Sequence, residues 1–243
     1  MFATRIRSMT GTHWLALFGG VLAMWALLFA MSVPAAETGG LWDAICRAGA
    51  GEAGFAGAVL MWALMSGAMM APTALPAFAT FDDLPGTDGR GFASLVGGYL
   101  LVWLGFALLA ALLQVTLAGQ GALSALGQSQ SKWLTGGLFL LAGAYQFTAL
   151  KEACLSRCRA PLTFFMAHWT DGPFRNGLRL GADCLGCCWA LMLLAFVGGT
   201  MSLAFMGLAM VLMTLEKLPE LGTHITKPLG VGLIGLGVLT LLI

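Results

Sequence analysis

Seven stretches of this chain are each long and apolar enough to need lipid around them, which narrows the fold to a bundle of membrane-spanning helices. A span takes about 20 mainly apolar residues. Read with that window, the stretches are 13–33, 55–75, 93–117, 133–150, 180–199, 200–215 and 226–243. A helix satisfies its own backbone hydrogen bonds, and lipid supplies no substitute for them. The expected class is therefore all-α, a polytopic transmembrane bundle of about seven spans forming one domain over 1–243. Residues 180–215 are too long for one ordinary span, and Gly198-Gly199 offers a tight turn between two. Trp14 to Met31 exceeds the roughly 7–15 apolar residues of a signal peptide. Despite Arg5 and Arg7 before it and Pro34-Ala35-Ala36 after it, this segment reads as an uncleaved first helix.

Composition agrees. The 243 residues are 59% hydrophobic and 9% charged, with a mean hydropathy of +0.88, against roughly 25% charged residues in soluble domains. A net charge of +1 offers nothing to attract nucleic acid. The partners to expect are the lipid bilayer and a membrane protein complex. The six cysteines mostly sit in or beside apolar segments, which argues against a secreted disulfide scaffold.

Arg5 and Arg7 place the N-terminus in the cytoplasm by the positive-inside rule. With seven spans, the basic cluster Lys151, Arg157, Arg159, Arg175 and Arg179 and the pair Lys217 and Lys227 fall on the same side. The acidic loop 81–90 also lands there, a mild dissent. The expected location is a bacterial inner (plasma) membrane, multi-pass. Between the fourth and fifth spans, residues 161–172 carry Phe164, Phe165, Met166 and Trp169 and read as a short interfacial helix.

This orientation gathers sulfur at one leaflet. Asp183, Cys184, Cys187 and Cys188 stand at the cytoplasmic start of the fifth span. There the helix N-terminus favours thiolate. Cys154 and Cys158 stand at the end of the fourth. Met61, Met65, Met69 and Met70 lie on the second span, closed by Pro72 and Pro76. On the sixth, Met206, Met210 and Met213 share a face that Glu216 continues. Thiolate and thioether are soft ligands that select Cu(I). Met61 and Met69 are about 12 Å apart along a helix, so they cannot hold one ion together.

The combination of Met61-Trp62-Ala-Leu-Met65-Ser-Gly-Ala-Met69-Met70-Ala-Pro72, Tyr145-Gln146 through Lys151, Cys154, Cys158, Arg159 and Pro161, Gly186-Cys187-Cys188-Trp189 with Met192, and Met201, Met206 and Glu216-Lys217 resembles a family. It is an uncharacterised bacterial family of predicted metal-binding integral membrane proteins. The resemblance runs from about 55 to 218. It implies a multi-span membrane protein with a metal site and no established reaction.

The resulting expectation is a protein that binds a soft metal, copper as Cu(I), for transport or for delivery to a partner complex. Cys184, Cys187 and Cys188 would be thiolate ligands, with Cys154 and Cys158 as capture thiols. Met65, Met69, Met206 and Met210 would form a thioether path, and Asp183 and Glu216 would tune charge. Plainer roles stand beside these. Methionines fill gaps in cores, buried thiols pack, Asp183 caps the fifth helix, and Glu216 anchors at the interface. Tyr145, Gln146 and Gln114 would bond between helices, and Gly136, Gly137 and Gly143 would admit close neighbours. Cys46 has no assigned role. His13, His168 and His224 are too scattered to ligate haem. The second reading is a non-catalytic accessory subunit of a larger membrane complex. The third is a thiol redox protein pairing Cys187 or Cys188 with Cys154 or Cys158. No phosphate loop, HExxH or nucleophile elbow is present, so no enzymatic activity is expected.

Overall fold

The computed structural model describes residues 11–32, 54–124, 126–200 and 202–243. Arg5, Arg7, Pro34, Ala35, Ala36, Cys46 and Met201 lie outside the described residues. Within them the chain is α-helical with no strand, and a single β-bridge joins Leu123 to Ser129. The helices are α1 (Thr12–Ser32), α2 (Gly54–Thr73), α3 (Leu75–Asp82), α4 (Gly89–Gly119), α5 (Lys132–Tyr145), α6 (Ala149–Arg159), α7 (Pro161–His168), α8 (Pro173–Met192), α9 (Ala195–Gly198), α10 (Leu203–Lys217) and α11 (Gly222–Leu242). Five helical stretches are long and apolar enough to cross a membrane: α1, α2, α4, α8 with α9, and α11. The bent pair α5–α6 makes a sixth if it counts as one span.

Burial sorts these helices into a centre and a rim. The spanning windows of α2 and of α8 with α9 are 61% and 67% buried, against 17%, 28% and 22% for α1, α4 and α11. The reason is visible in α8, which carries Asn176, Asp183 and three cysteines along one helix. Such groups are costly against lipid and belong inside a bundle. Contacts set the directions. Trp62 meets Phe196 and Met70 meets Cys188, so α2 runs antiparallel to α8. Gly198 faces Phe205 while Cys184 faces Lys217, so α10 does too.

Glycine makes the α4–α8 contact possible. A Cβ on Gly177 would stand 2.1 Å from the Leu95 carbonyl oxygen and 3.0 Å from the Tyr99 nitrogen. A Cβ on Gly98 would stand 2.4 Å from the Phe174 carbonyl oxygen, and one on Gly181 3.0 Å from the Tyr99 carbonyl oxygen. These are small residues spaced to let two backbones touch. Across the α5–α11 contact, Gly136 and Gly143 do the same against Leu241 and Ile234, while Gly137 faces open space, contrary to expectation. Gly177→Ala will therefore cost about 1–3 kcal/mol or more of overpacking, read as a lowered unfolding temperature in mild detergent. Gly137→Ala in the same assay will show no loss.

Two boundaries differ from the hydropathy reading. The fourth span is not one helix over 133–150. It stops at Tyr145, and α6 leaves at a bend of 63°. Thr148 starts α6, its hydroxyl accepting from the Lys151 amide. Helix α8 starts at Pro173, not near 180, with Gly172 at φ 82° before it. Proline at the first helical position after a left-handed glycine is a strong start signal. The break expected at Gly198-Gly199 is present. Gly199 has φ 90°, and Ser202 caps α10. Residues 161–171 form α7 and a 3-10 turn, with Phe164 and Phe165 buried and Met166 and Trp169 exposed.

Candidate metal centre

The three cysteines of α8 stand in the fourth turn and beyond, about 16 Å along the axis from Pro173 at 1.5 Å per residue. They are not at a helix start, and the N-terminal dipole, which fades within the first turn, does not reach them. All three are buried. The thiols of Cys187 and Cys188 both donate to the Cys184 carbonyl oxygen, at 3.0 and 2.9 Å. That bends them to the same side of the helix as Cys184.

Four other helices close on that side. From the end of α10, the Lys217 ammonium donates to the Cys184 sulfur at 2.9 Å and to the Thr73 hydroxyl of α2 at 2.6 Å. From α4, the Tyr99 hydroxyl donates to the Met70 carbonyl at 2.8 Å and lies 3.0 Å from the Cys184 sulfur. From α2, the Met70 thioether accepts from Cys188 at 3.7 Å. From α6, the Cys158 side chain stands against Cys187. The result is a sulfur cluster with a buried ammonium against it. Cys154 stands to one side, its sulfur where a Cβ on Gly186 would come within 2.6 Å.

Both carboxylates expected at the site are engaged elsewhere. Asp183 lies well inside α8 and does not cap it. It accepts from Arg157 of α6 at 2.8 Å. Glu216 is no interfacial anchor. It is 2% exposed and paired with Lys151, itself 1% exposed, at 2.9 and 3.0 Å. Arg159 donates twice to the Glu216 backbone carbonyl, at 3.0 and 2.9 Å. These two pairs bind α6 to α8 and to α10, and so hold Cys158 against Cys187.

The methionines divide. Met65 and Met69 of α2, Met192 of α8 and Met206 of α10 line one small cavity of about 10 Å³, walled otherwise by Leu191, Ala195, Phe205 and Ala209. Met210 is half-buried and does not line it. Of the expected interhelical bonds, Gln114 accepts from Trp62 at 2.6 Å and Tyr145 donates to the Gly186 carbonyl. Gln146 is buried with neither amide atom partnered among the described residues. His13, His168 and His224 lie in three separate places, the first bonded to Asp82 and the second to Phe164.

Lys217, Tyr99, Thr73 and Met192 are the residues that sequence reasoning did not place at the site. Lys217 had a visible signal, a cation directly after Glu216 at the end of an apolar run. Met192 had one in the family resemblance that includes it, whereas Tyr99 and Thr73 had none, because only the packing of α2, α4 and α8 brings them in.

Among the described residues, no three His, Cys, Asp or Glu side chains are arranged to hold a metal ion. A Cu(I) ion needs no such group of three, since two soft ligands suffice for it, and thiols and thioethers, the donors gathered here, are the ligands it prefers.

No curated protein and no solved structure matches the chain. A family profile does match, over residues 59–240, about three quarters of the length, and it covers every residue of the sulfur cluster. That family is described as PpoB2, copper chaperone, and the chain belongs to it.

Proposed function

We propose that this protein is a multi-pass bacterial inner-membrane copper chaperone. It takes up Cu(I) on sulfur at the cytoplasmic side and passes it to a partner protein, without catalytic turnover. Counting α5–α6 as one broken span and α10 as another brings the five long helices to seven. With the N-terminus inside, α6, α7 and the start of α8 then face the cytoplasm. The observation that carries the reading is the contact of Lys217 with Cys184 inside a cluster of thiols from α6 and α8. A buried ammonium without a carboxylate partner is expensive, and a copper–thiolate complex is anionic. The two offset each other at this place. Membership of a copper chaperone family supplies the identity of the ion.

In this proposal the ion sits on a pair of thiols drawn from Cys184, Cys187, Cys188 and Cys158, with Met70 beside them. Cys154, packed on Gly186, captures or packs but does not join the central set. Asp183 and Glu216 act through Arg157 and Lys151 and leave the ligation to sulfur.

Protein purified under reducing, copper-replete conditions will contain copper close to one equivalent by elemental analysis. Copper-free protein would sink the proposal and favour an accessory-subunit role. Lys217→Met, which removes the charge but keeps the bulk, will weaken Cu(I) binding about 10- to 100-fold, the usual effect of losing a group that supports a metal's ligands. Competition with a chromogenic Cu(I) chelator reads this directly. Unchanged affinity would remove Lys217 from the site.

The Cys158–Cys187 contact gives a thiol redox role one specific support. A disulfide between these residues, found by mass spectrometry in protein alkylated in intact cells, would favour it over copper carriage.

A further inference from the structure

We infer that the cavity between Met65, Met69, Met192 and Met206 is a second copper site, a transit chamber that accepts only a bare monovalent soft cation. This deepens the copper-carrying reading and rests on it.

The geometry supplies what one helix cannot. Met61 and Met69 are too far apart along α2 to share an ion. Met65 and Met69 are one turn apart, about 6 Å, and Met192 and Met206 reach the same void from α8 and α10. Methionines from three helices therefore line one void. The other wall residues, Leu191, Ala195, Phe205 and Ala209, bring no side-chain oxygen or nitrogen. The cavity measures about 10 Å³, at the lower limit of the roughly 10–15 Å³ that a water molecule requires. A hydrated ion does not fit. Magnesium gives up its water reluctantly, and zinc binds nitrogen, oxygen or thiolate. Bare Cu(I) on thioethers meets both conditions.

The chamber is placed to receive the ion. Met192 lies one turn beyond Cys188 on α8, about 6 Å. Met70, which touches Cys188, adjoins Met69 in sequence. An ion leaving the thiol cluster thus has sulfur within one helical turn. The chamber also differs from the cluster in charge. It has no anionic ligand, so the ion keeps its full charge in an apolar interior, which is costly. Binding there is weaker and shorter-lived than at the thiols, which suits passage and not storage.

The test uses full-length, selenomethionine-substituted protein in detergent, titrated with Cu(I) and followed by X-ray absorption at the copper edge. The expected result is a second, weaker equivalent of copper that carries Cu–Se scattering. It should be lost in Met192→Leu/Met206→Leu while the first equivalent stays. These swaps conserve volume, and an unchanged melting temperature confirms folding. Thiol-dependent copper with no second equivalent, or Cu–Se scattering unaffected by the double substitution, would overturn the chamber and leave the copper-carrying reading intact. No copper at any ratio would overturn both.

Discussion

Serine at both Cys187 and Cys188 will abolish tight copper binding, while serine at Cys154 will leave it in place. The expected loss at the double variant exceeds about 100-fold, beyond what supporting groups around a metal contribute. The asymmetry comes from position. Cys187 stands against Cys158 and Cys188 touches the Met70 thioether, so each joins a neighbouring helix to the cluster. Cys154 faces Gly186 instead. Serine also tests ligation and not merely folding. Its hydroxyl can keep the bond that each thiol makes to the Cys184 carbonyl, yet it is a hard donor with little affinity for Cu(I). The measurement is copper per protein after desalting, with melting temperature as the folding control. Full copper in the double variant would remove these two residues from the site. Full loss in the Cys154 variant would move the centre toward α6.

Much of this architecture is legible in the sequence because lipid imposes a length. The stretches near 13–33, 55–75, 93–117 and 226–243 become α1, α2, α4 and α11 within a few residues. The hydropathy window failed where polar residues sit inside the bundle. Arg175, Asn176 and Arg179 delayed the apparent start of α8, although Gly172-Pro173 marks it locally. The break after Tyr145 has no glycine or proline to announce it. Thr148, with Glu152 in the first turn of α6, is a modest cap signal that hydropathy ignores. The sulfur residues were visible as types and spacings. Their grouping was not, since whether Met206 or Met210 faces Met192 depends on how α10 is rotated against α8. The carboxylates were the least legible. Asp183 and Glu216 read as metal-site charges until Arg157 and Lys151, distant in sequence, are brought against them.

That last pairing leads to a stability prediction that also separates two roles for Glu216. Glu216→Leu will destabilise the protein by about 3–5 kcal/mol, because it leaves the Lys151 ammonium buried without a counter-charge. Both side chains are almost fully enclosed, so water offers the ammonium little relief. The Arg159 bonds go to the Glu216 backbone oxygen and survive the substitution. The loss therefore reports the side-chain pair alone. Removing both charges, in Lys151→Met/Glu216→Leu, will recover most of the stability, since apolar replacement of a buried ion pair is often neutral or better. Unfolding in detergent for the two single variants and the double completes the cycle. Copper per protein, measured on the same samples, separates the roles. If Glu216 only ties α10 to α6, the rescued double variant keeps its copper. If its carboxylate takes part in ligation, copper is lost even though stability returns, and the paired state with Lys151 is then a resting arrangement that gives way when the ion arrives.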